Sequence, residues 1–269
     1  YGVGQLILAA IDAGATEILV GLGGTGTNDG GAGMMRALGM RLRDREGNTL
    51  IGSPESLAKI AVIDEAGIDP RLKDISFRVA CDVDNPLVGE RGASAIYGPQ
   101  KGASPEDVQF LDTALAAWAM VTGHKESTEI PGAGAAGGLG FAFHALLGAA
   151  LEPGVDVVAH VVGLNDAING ADLVLTGEGA IDRQTLMGKT LSGILRRSTQ
   201  AGVPVIAFAG RIGDGAYALY QHGCAGIVPI VDRVTNLADA LANGPENLAN
   251  AAERTMRLLT AGQLLSTHS

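Results

Sequence analysis

The stretch GLGGTGTNDGGAGMMRALG, residues 21–39, constrains this chain more than any other. An apolar run, EILVGL at 17–22, leads into it and an amphipathic run, Met34 to Leu38, leaves it. A strand, a glycine cluster and then a helix is the layout that lets backbone N–H groups approach an anion. Within the cluster, Asn28 and Asp29, with the hydroxyls of Thr25 and Thr27, are the side chains able to do polar chemistry. A glycine turn that carries a carboxylate points beyond packing.

From Ala171 onward apolar runs alternate with helical patterns. Strands are expected at 172–176, 204–209 and 226–231, and helices at 189–201, 216–222 and 237–261. That alternation predicts a parallel sheet with right-handed crossovers and ligands at the C-terminal strand ends. Earlier, helix 3–13, strand 17–22, strand 77–83, a long glycine-rich loop at 89–102, an apolar helix at 141–151 and a helix at 155–169 are expected. Ser104-Pro105-Glu106-Asp107 opens a helix running to about Gly123, with Val108, Leu111, Leu115 and Trp118 on its apolar face. The fold class is α/β, with a boundary expected near residues 155–170.

The net charge of −10 argues against nucleic acid or an anionic membrane as partner, since both need clustered Lys and Arg. No apolar run reaches the ~20 residues of a membrane span, and no signal peptide is visible. Cys81 and Cys224 lie far apart inside apolar runs and read as buried free thiols, so the expected location is cytoplasmic. A homodimer is compatible with the sequence. The chain opens Tyr-Gly-Val-Gly, without Met and already inside a helical pattern, and reads as cut from a longer polypeptide.

Several motifs admit two readings. Gly21-x-Gly23-x-x-Gly26, with Asp44 about twenty residues on, fits the dinucleotide fingerprint, but so does Gly132-x-Gly134-x-x-Gly137, and a purely structural turn is the alternative. Glu178 and Asp182 in GEGAID suit Mg²⁺ beside phosphates, and Lys189 suits phosphate charge. Plain surface charge is the alternative, and a P-loop is excluded because Arg183 stands where its first glycine belongs. Asp82 and Asp84 fall on one face at period two, which suits a cation or a hydroxyl; a solvated turn is the alternative. The five histidines show no metal-ligand spacing.

GLGGTGTNDGGAGMMRALG, CDVDNPLVGERGASAIYGPQKG, PGAGAAGGLGFA, DLVLTGEGAIDRQTLMGKT and GVPVIAFAGRIGD occur in that order. Together they resemble the bacterial glycerate kinase family (type I, glycerate 2-kinase-like) over essentially the whole chain. The resemblance implies an ATP-dependent kinase of D-glycerate, giving phosphoglycerate, commonly the 2-phosphate. It also implies a Rossmann-like domain built from both chain ends, of which 161–269 is the C-terminal part, and an inserted mixed α/β domain, 1–160. Members carry a further N-terminal segment with Pro-Asp-Ser-Phe-Lys and Ala-Asp-Gly-Gly-Glu-Gly motifs, absent here.

On that basis Asp29 is expected to be the base or orienter of the glycerate hydroxyl. Gly24 and Gly26 would hold phosphate or carboxylate through backbone N–H groups, beside Asn28. Asp82 and Asn85 would fix substrate hydroxyls, and Arg91 and Lys101 the glycerate carboxylate. Glu178 and Asp182 would face Mg²⁺ or the nucleotide, with Lys189. Rival readings are an NAD(P)-binding oxidoreductase built on Gly21–Gly26 and a catalytically incomplete fragment of the kinase fold.

Overall fold

The computed structural model describes residues 1–186 and 189–266. The chain forms two compact units, Tyr1–Val157 and Val158–Ser269. The architecture is α/β with parallel sheets.

In the first unit, helix α1 (Gly2–Asp12) leads to strand β1 (Glu17–Gly21) and, after an irregular glycine loop, to helix α2 (Ala32–Ala37). Gly4, Ile7 and Ile11 form the buried stripe of α1. A Cβ on Gly4 would lie 2.6 Å from that of Ala37, so glycine lets α1 and α2 pack closely. Strands β2 (Arg41–Arg43), β3 (Thr49–Leu50) and β4 (Val62–Asp64) make a small antiparallel sheet in the order β3-β2-β4, with helix α3 (Pro54–Leu57) between β3 and β4.

Strand β5 (Ser76–Ala80) is central in the parallel sheet β1-β5-β6 and buries Phe77 and Val79 at period two. It stops at Ala80, so Asp82 and Asp84 lie on irregular backbone and the expected shared strand face does not exist. The glycine-rich segment that follows is not one open loop: it contains helix α4 (Ala93–Tyr97) and a short 3₁₀ turn, Pro99–Lys101.

Helix α5 (Pro105–Val121) starts with a full capping box. The Ser104 hydroxyl accepts from the Asp107 N–H at 3.1 Å, and the Ser104 N–H donates to the Asp107 carboxylate at 2.9 Å. Leu115 and Trp118 are fully buried on it. Helix α6 (Ala135–Phe141) follows, with left-handed backbone at Ala136, Gly137 and Gly138. The apolar run after it is a π-helical turn, Ala142–Leu146, and then strand β6 (Ala150–Glu152), pairing with β5, rather than one helix. Helix α7 (Gly154–Val161) and helix α8 (Leu164–Asn169) replace the expected single helix, broken where Gly163 takes φ +66°.

The second unit has the parallel sheet β7-β8-β9 (Val174–Ile181, Val205–Ile212, Cys224–Pro229). Strand β8 is buried on both faces. Val205, Ala207 and Ala209 pack with Leu191 and Leu195 of helix α9 (Lys189–Ala201), whereas Ile206 and Phe208 pack near Ala251. Helix α10 (Leu237–Ala242) and helix α11 (Gly244–Ser266) meet at Asn243 where one helix was expected. A sheet covered on both faces by helices is the layout that alternating strand and helix patterns predict.

Candidate active site

The glycine loop leaves β1 with one further ladder bond, Leu22 N–H to the Ala80 carbonyl at 3.0 Å. Helix α2 begins only at Ala32, so residues 22–31 form no tight strand-to-helix turn. A dinucleotide fingerprint needs that turn, so the geometry does not support the NAD reading. Asp44, the would-be ribose acid, instead accepts from the backbone N–H and side-chain amide of Asn48.

Four distant segments pin Thr27 to Gly31. The Lys101 ammonium donates to the Thr27 carbonyl at 2.6 Å. The Asn28 amide donates to the Ser94 hydroxyl at 2.9 Å. The Gly30 N–H donates to the Gly137 carbonyl at 3.0 Å, and the Trp118 indole N–H to the Gly30 carbonyl at 3.0 Å. This approach needs bare backbone: a Cβ at Gly138 would lie 2.6 Å from the Gly30 Cα. The second glycine cluster, at 131–140, is therefore packing surface for the first.

Asp29 sits inside this frame. Its Oδ1 accepts from the Thr27 hydroxyl at 2.9 Å and the Gly31 N–H at 3.0 Å; its Oδ2 accepts from the Gly33 N–H at 2.8 Å. A carboxylate oxygen has about two acceptor sites, which leaves room on Oδ2 for one more donor. Gly26, Asn28, Asp29 and Lys101 line a cleft of about 570 Å³ together with Ser53, Glu55 and Asp107. Gly24 and Thr25 line a smaller cavity of about 120 Å³, shared with Tyr97 and Lys101. Lys101 thus borders both. Its half-burial lowers its pKa below the ordinary lysine value, and the negative charge of Asp29 partly offsets that.

Two side chains here carry buried oxygens that no protein donor or acceptor meets, the Thr25 hydroxyl and the Asn28 amide oxygen. A buried polar atom left unpaired is costly. Thr25 lines the smaller cavity and Asn28 the larger.

Asp82, Asn85 and Arg91 belong to the same unit but line neither cavity. Asp82 is exposed and accepts from the Gly154 N–H at the start of α7, at 3.1 Å. Asn85 donates to the Arg91 carbonyl at 2.8 Å and accepts from the Tyr97 hydroxyl at 2.6 Å. Arg91 is exposed and pairs with Asp84 at 3.1 Å. These three hold the 82–97 segment in shape. Tyr97 and Ser94 were not singled out by the sequence, although Tyr97 is the one aromatic residue in its glycine-rich stretch.

In the second unit Glu178 lies within β7, not in a turn after it, and faces an apolar groove of about 900 Å³. Burial raises its pKa; a hydrogen bond with Thr185 opposes the rise, and the charge of Asp182 adds to it. Asp182 follows the strand and takes an ion pair from Arg211 at 3.3 Å. The Lys189 side chain lies outside the described residues. Among the described residues no three His, Cys, Asp or Glu cluster as metal ligands. No described helix is long and apolar enough to cross a membrane.

Parallel α/β sheets, with a carboxylate and an ammonium facing one cleft in a glycine loop beyond a strand's C-terminal end, define a protein that handles small polar or anionic ligands. The chain matches the model of the glycerate kinase family over residues 1–260 and belongs to that family. It is 45% identical over 255 residues to a glycerate kinase of Halalkalibacterium halodurans, covering 94% of this chain and 67% of the relative. It is 43% identical over 264 residues to the glycerate 2-kinase of Escherichia coli K12, covering 97% and 69%. The crystal structure of a putative glycerate kinase 2 from Salmonella typhimurium LT2 superposes with a TM-score of 0.80 at 43% identity, covering 98% of this chain and 70% of that one.

Proposed function

We propose that this chain carries the chemistry of a glycerate kinase, moving the γ-phosphoryl group of ATP to a hydroxyl of D-glycerate and giving phosphoglycerate, with the 2-phosphate as the product. The observation that carries the reading is that Asp29 and Lys101 line one cleft. Phosphoryl transfer asks for an oriented hydroxyl and for neutralised anionic charge. The open acceptor site on Asp29 Oδ2 would take the hydroxyl proton or hold it in line. Lys101 would meet the carboxylate of the acid or the phosphate. The N–H groups about Gly24 and Gly26 offer further donors.

Glu178 and Asp182 would hold Mg²⁺. Glu178 in β7 and Asp182 just past its end offer carboxylate oxygens, the ligand type that suits a cation also liganded by phosphate oxygens. Held there, Mg²⁺ would supply positive charge against the phosphates. Asn85 and Arg91 serve in this reading by keeping Tyr97 of α4 in place, and Asp82 by tying its segment to Gly154. The enzyme is taken to be cytoplasmic, with neither nucleic acid nor membrane as partner; its net charge of −10 supports that.

The test is phosphorus NMR of D-glycerate incubated with ATP, Mg²⁺ and the protein. It is run on the chain alone and on the chain joined to the N-terminal segment that the family resemblance implies. A phosphomonoester signal on C2 is expected, and no phosphoglycerate from either form overturns the reading. A pH profile adds a second check. The charged Lys101 is the working form and its pKa is depressed. Activity is therefore expected to fall, as pH rises, below the ordinary lysine pKa of about 10.4. Lys101→Arg, which stays charged, should move that fall to higher pH even where it lowers the plateau. An unchanged profile would remove Lys101 from charge neutralisation.

A further inference from the structure

We infer that Ser94 is a positioning residue that holds the Asn28 amide so that its oxygen is left for one hydroxyl of the acid substrate. The inference rests on the hydroxy-acid reading above and adds the residue that sets its hydroxyl selectivity. Ser94 is fully buried on α4 and its hydroxyl accepts from the Asn28 amide nitrogen at 2.9 Å. With the nitrogen fixed on Ser94, the Asn28 oxygen is buried and meets no donor.

The donors nearest in the chain are engaged elsewhere. The Thr27 hydroxyl donates to Asp29 and the Gly30 N–H to Gly137; the Lys101 ammonium gives one of its three N–H groups to the Thr27 carbonyl and none to the Asn28 oxygen. Asn28 lines the larger cleft, so the missing donor is one that a ligand brings. A carboxylate or phosphate has no proton to give. An ammonium would face Lys101 beside it, which repels a second cation. A hydroxyl satisfies the oxygen without either conflict. Because the unmet acceptor is buried, a ligand lacking that hydroxyl leaves it unmet, and sites built this way discriminate strongly.

The test is calorimetric titration of the protein with D-glycerate and with two acids that each lack one of its hydroxyls, D-lactate and 3-hydroxypropionate. For the wild type, D-glycerate is expected to bind tighter than both. In Ser94→Ala the affinity for D-glycerate should fall about tenfold, the size of one hydrogen bond. Binding of the analogue that lacks the contacted hydroxyl should stay within twofold, and the affinity for ATP should not move. Ser94→Cys, of similar volume and with a weak acceptor, should recover part of the loss; it carries the same comparison if Ser94→Ala fails to fold. Unchanged affinity for D-glycerate in the variants, or a parallel loss for all three acids, overturns the positioning role alone. Failure of the wild type to bind D-glycerate overturns the substrate reading and this inference with it.

Discussion

Gly137→Ala is expected to destabilise the first unit by about 3–6 kcal/mol and to abolish the cleft. Gly137 has φ +69°, where an L side chain costs roughly 1–2 kcal/mol. The added Cβ would also drive into the Thr27 carbonyl oxygen and come within 2.8 Å of the Asn28 Cα. Both obstacles are backbone, so no side chain can swing aside. Overpacking of this kind costs about 1–3 kcal/mol. Relief by displacement would break the bond from the Gly30 N–H to the Gly137 carbonyl, about another 1 kcal/mol. Gly148→Ala is the internal control: φ is +68° there but nothing lies within 4 Å of the new Cβ. It should pay the conformational cost of roughly 1–2 kcal/mol alone. Urea melts of the two variants separate the steric part from the conformational part. Equal losses would mean that the contact between the two glycine clusters is not rigid.

The same contact shows where sequence reading stops. Ser104-Pro105-Glu106-Asp107 announced the start of α5 because a capping box is local chemistry, complete within four residues. The alternation after Ala171 announced the parallel sheet for a similar reason, since each strand and helix carries its own period. Strand β6 is hidden inside the apolar run 141–151, because a short buried strand and a buried helix look alike in hydrophobicity. The expected strand 172–176 is shorter than β7, which runs on through Gly177 and Gly179 to Ile181. In the fold, Gly177 sits in the strand where its Cβ would lie 3.0 Å from the Phe208 carbonyl oxygen.

The site divides along the same line. Asn28, Asp29 and Lys101 were legible as polar residues among glycines, and they do face one cleft. The roles of Ser94, Trp118 and Gly137 were not legible, since each acts through one contact with a residue distant in sequence. Asp82 and Asp84 misled because the period-two argument assumed a strand that ends at Ala80.

Asp29→Ala should lower kcat at least ~10²-fold, the range for loss of a positioned acid–base group. The difficulty is that Asp29 also shapes its own loop: its carboxylate accepts from Thr27, Gly31 and Gly33. Removing it strips the N–H groups at the entry to α2 of their acceptor, a loss of about 0.5–2 kcal/mol by analogy with helix caps. Two further measurements divide chemistry from scaffolding. Thr27→Val removes one donor to Asp29 and leaves the charge in place, so it should cost stability but less than about tenfold in kcat if the carboxylate does the work. In Asp29→Asn the neutral amide keeps one acceptor oxygen and loses the negative charge. A residual rate well above that of Asp29→Ala would mean that Asp29 orients the hydroxyl rather than taking its proton, since an amide can still accept a hydrogen bond but is no base. Equal rates in the two variants would favour proton transfer. Turnover near the wild-type level in Asp29→Ala, with the fold intact by melting temperature, would take Asp29 out of the reaction and leave it as the cap of its own loop.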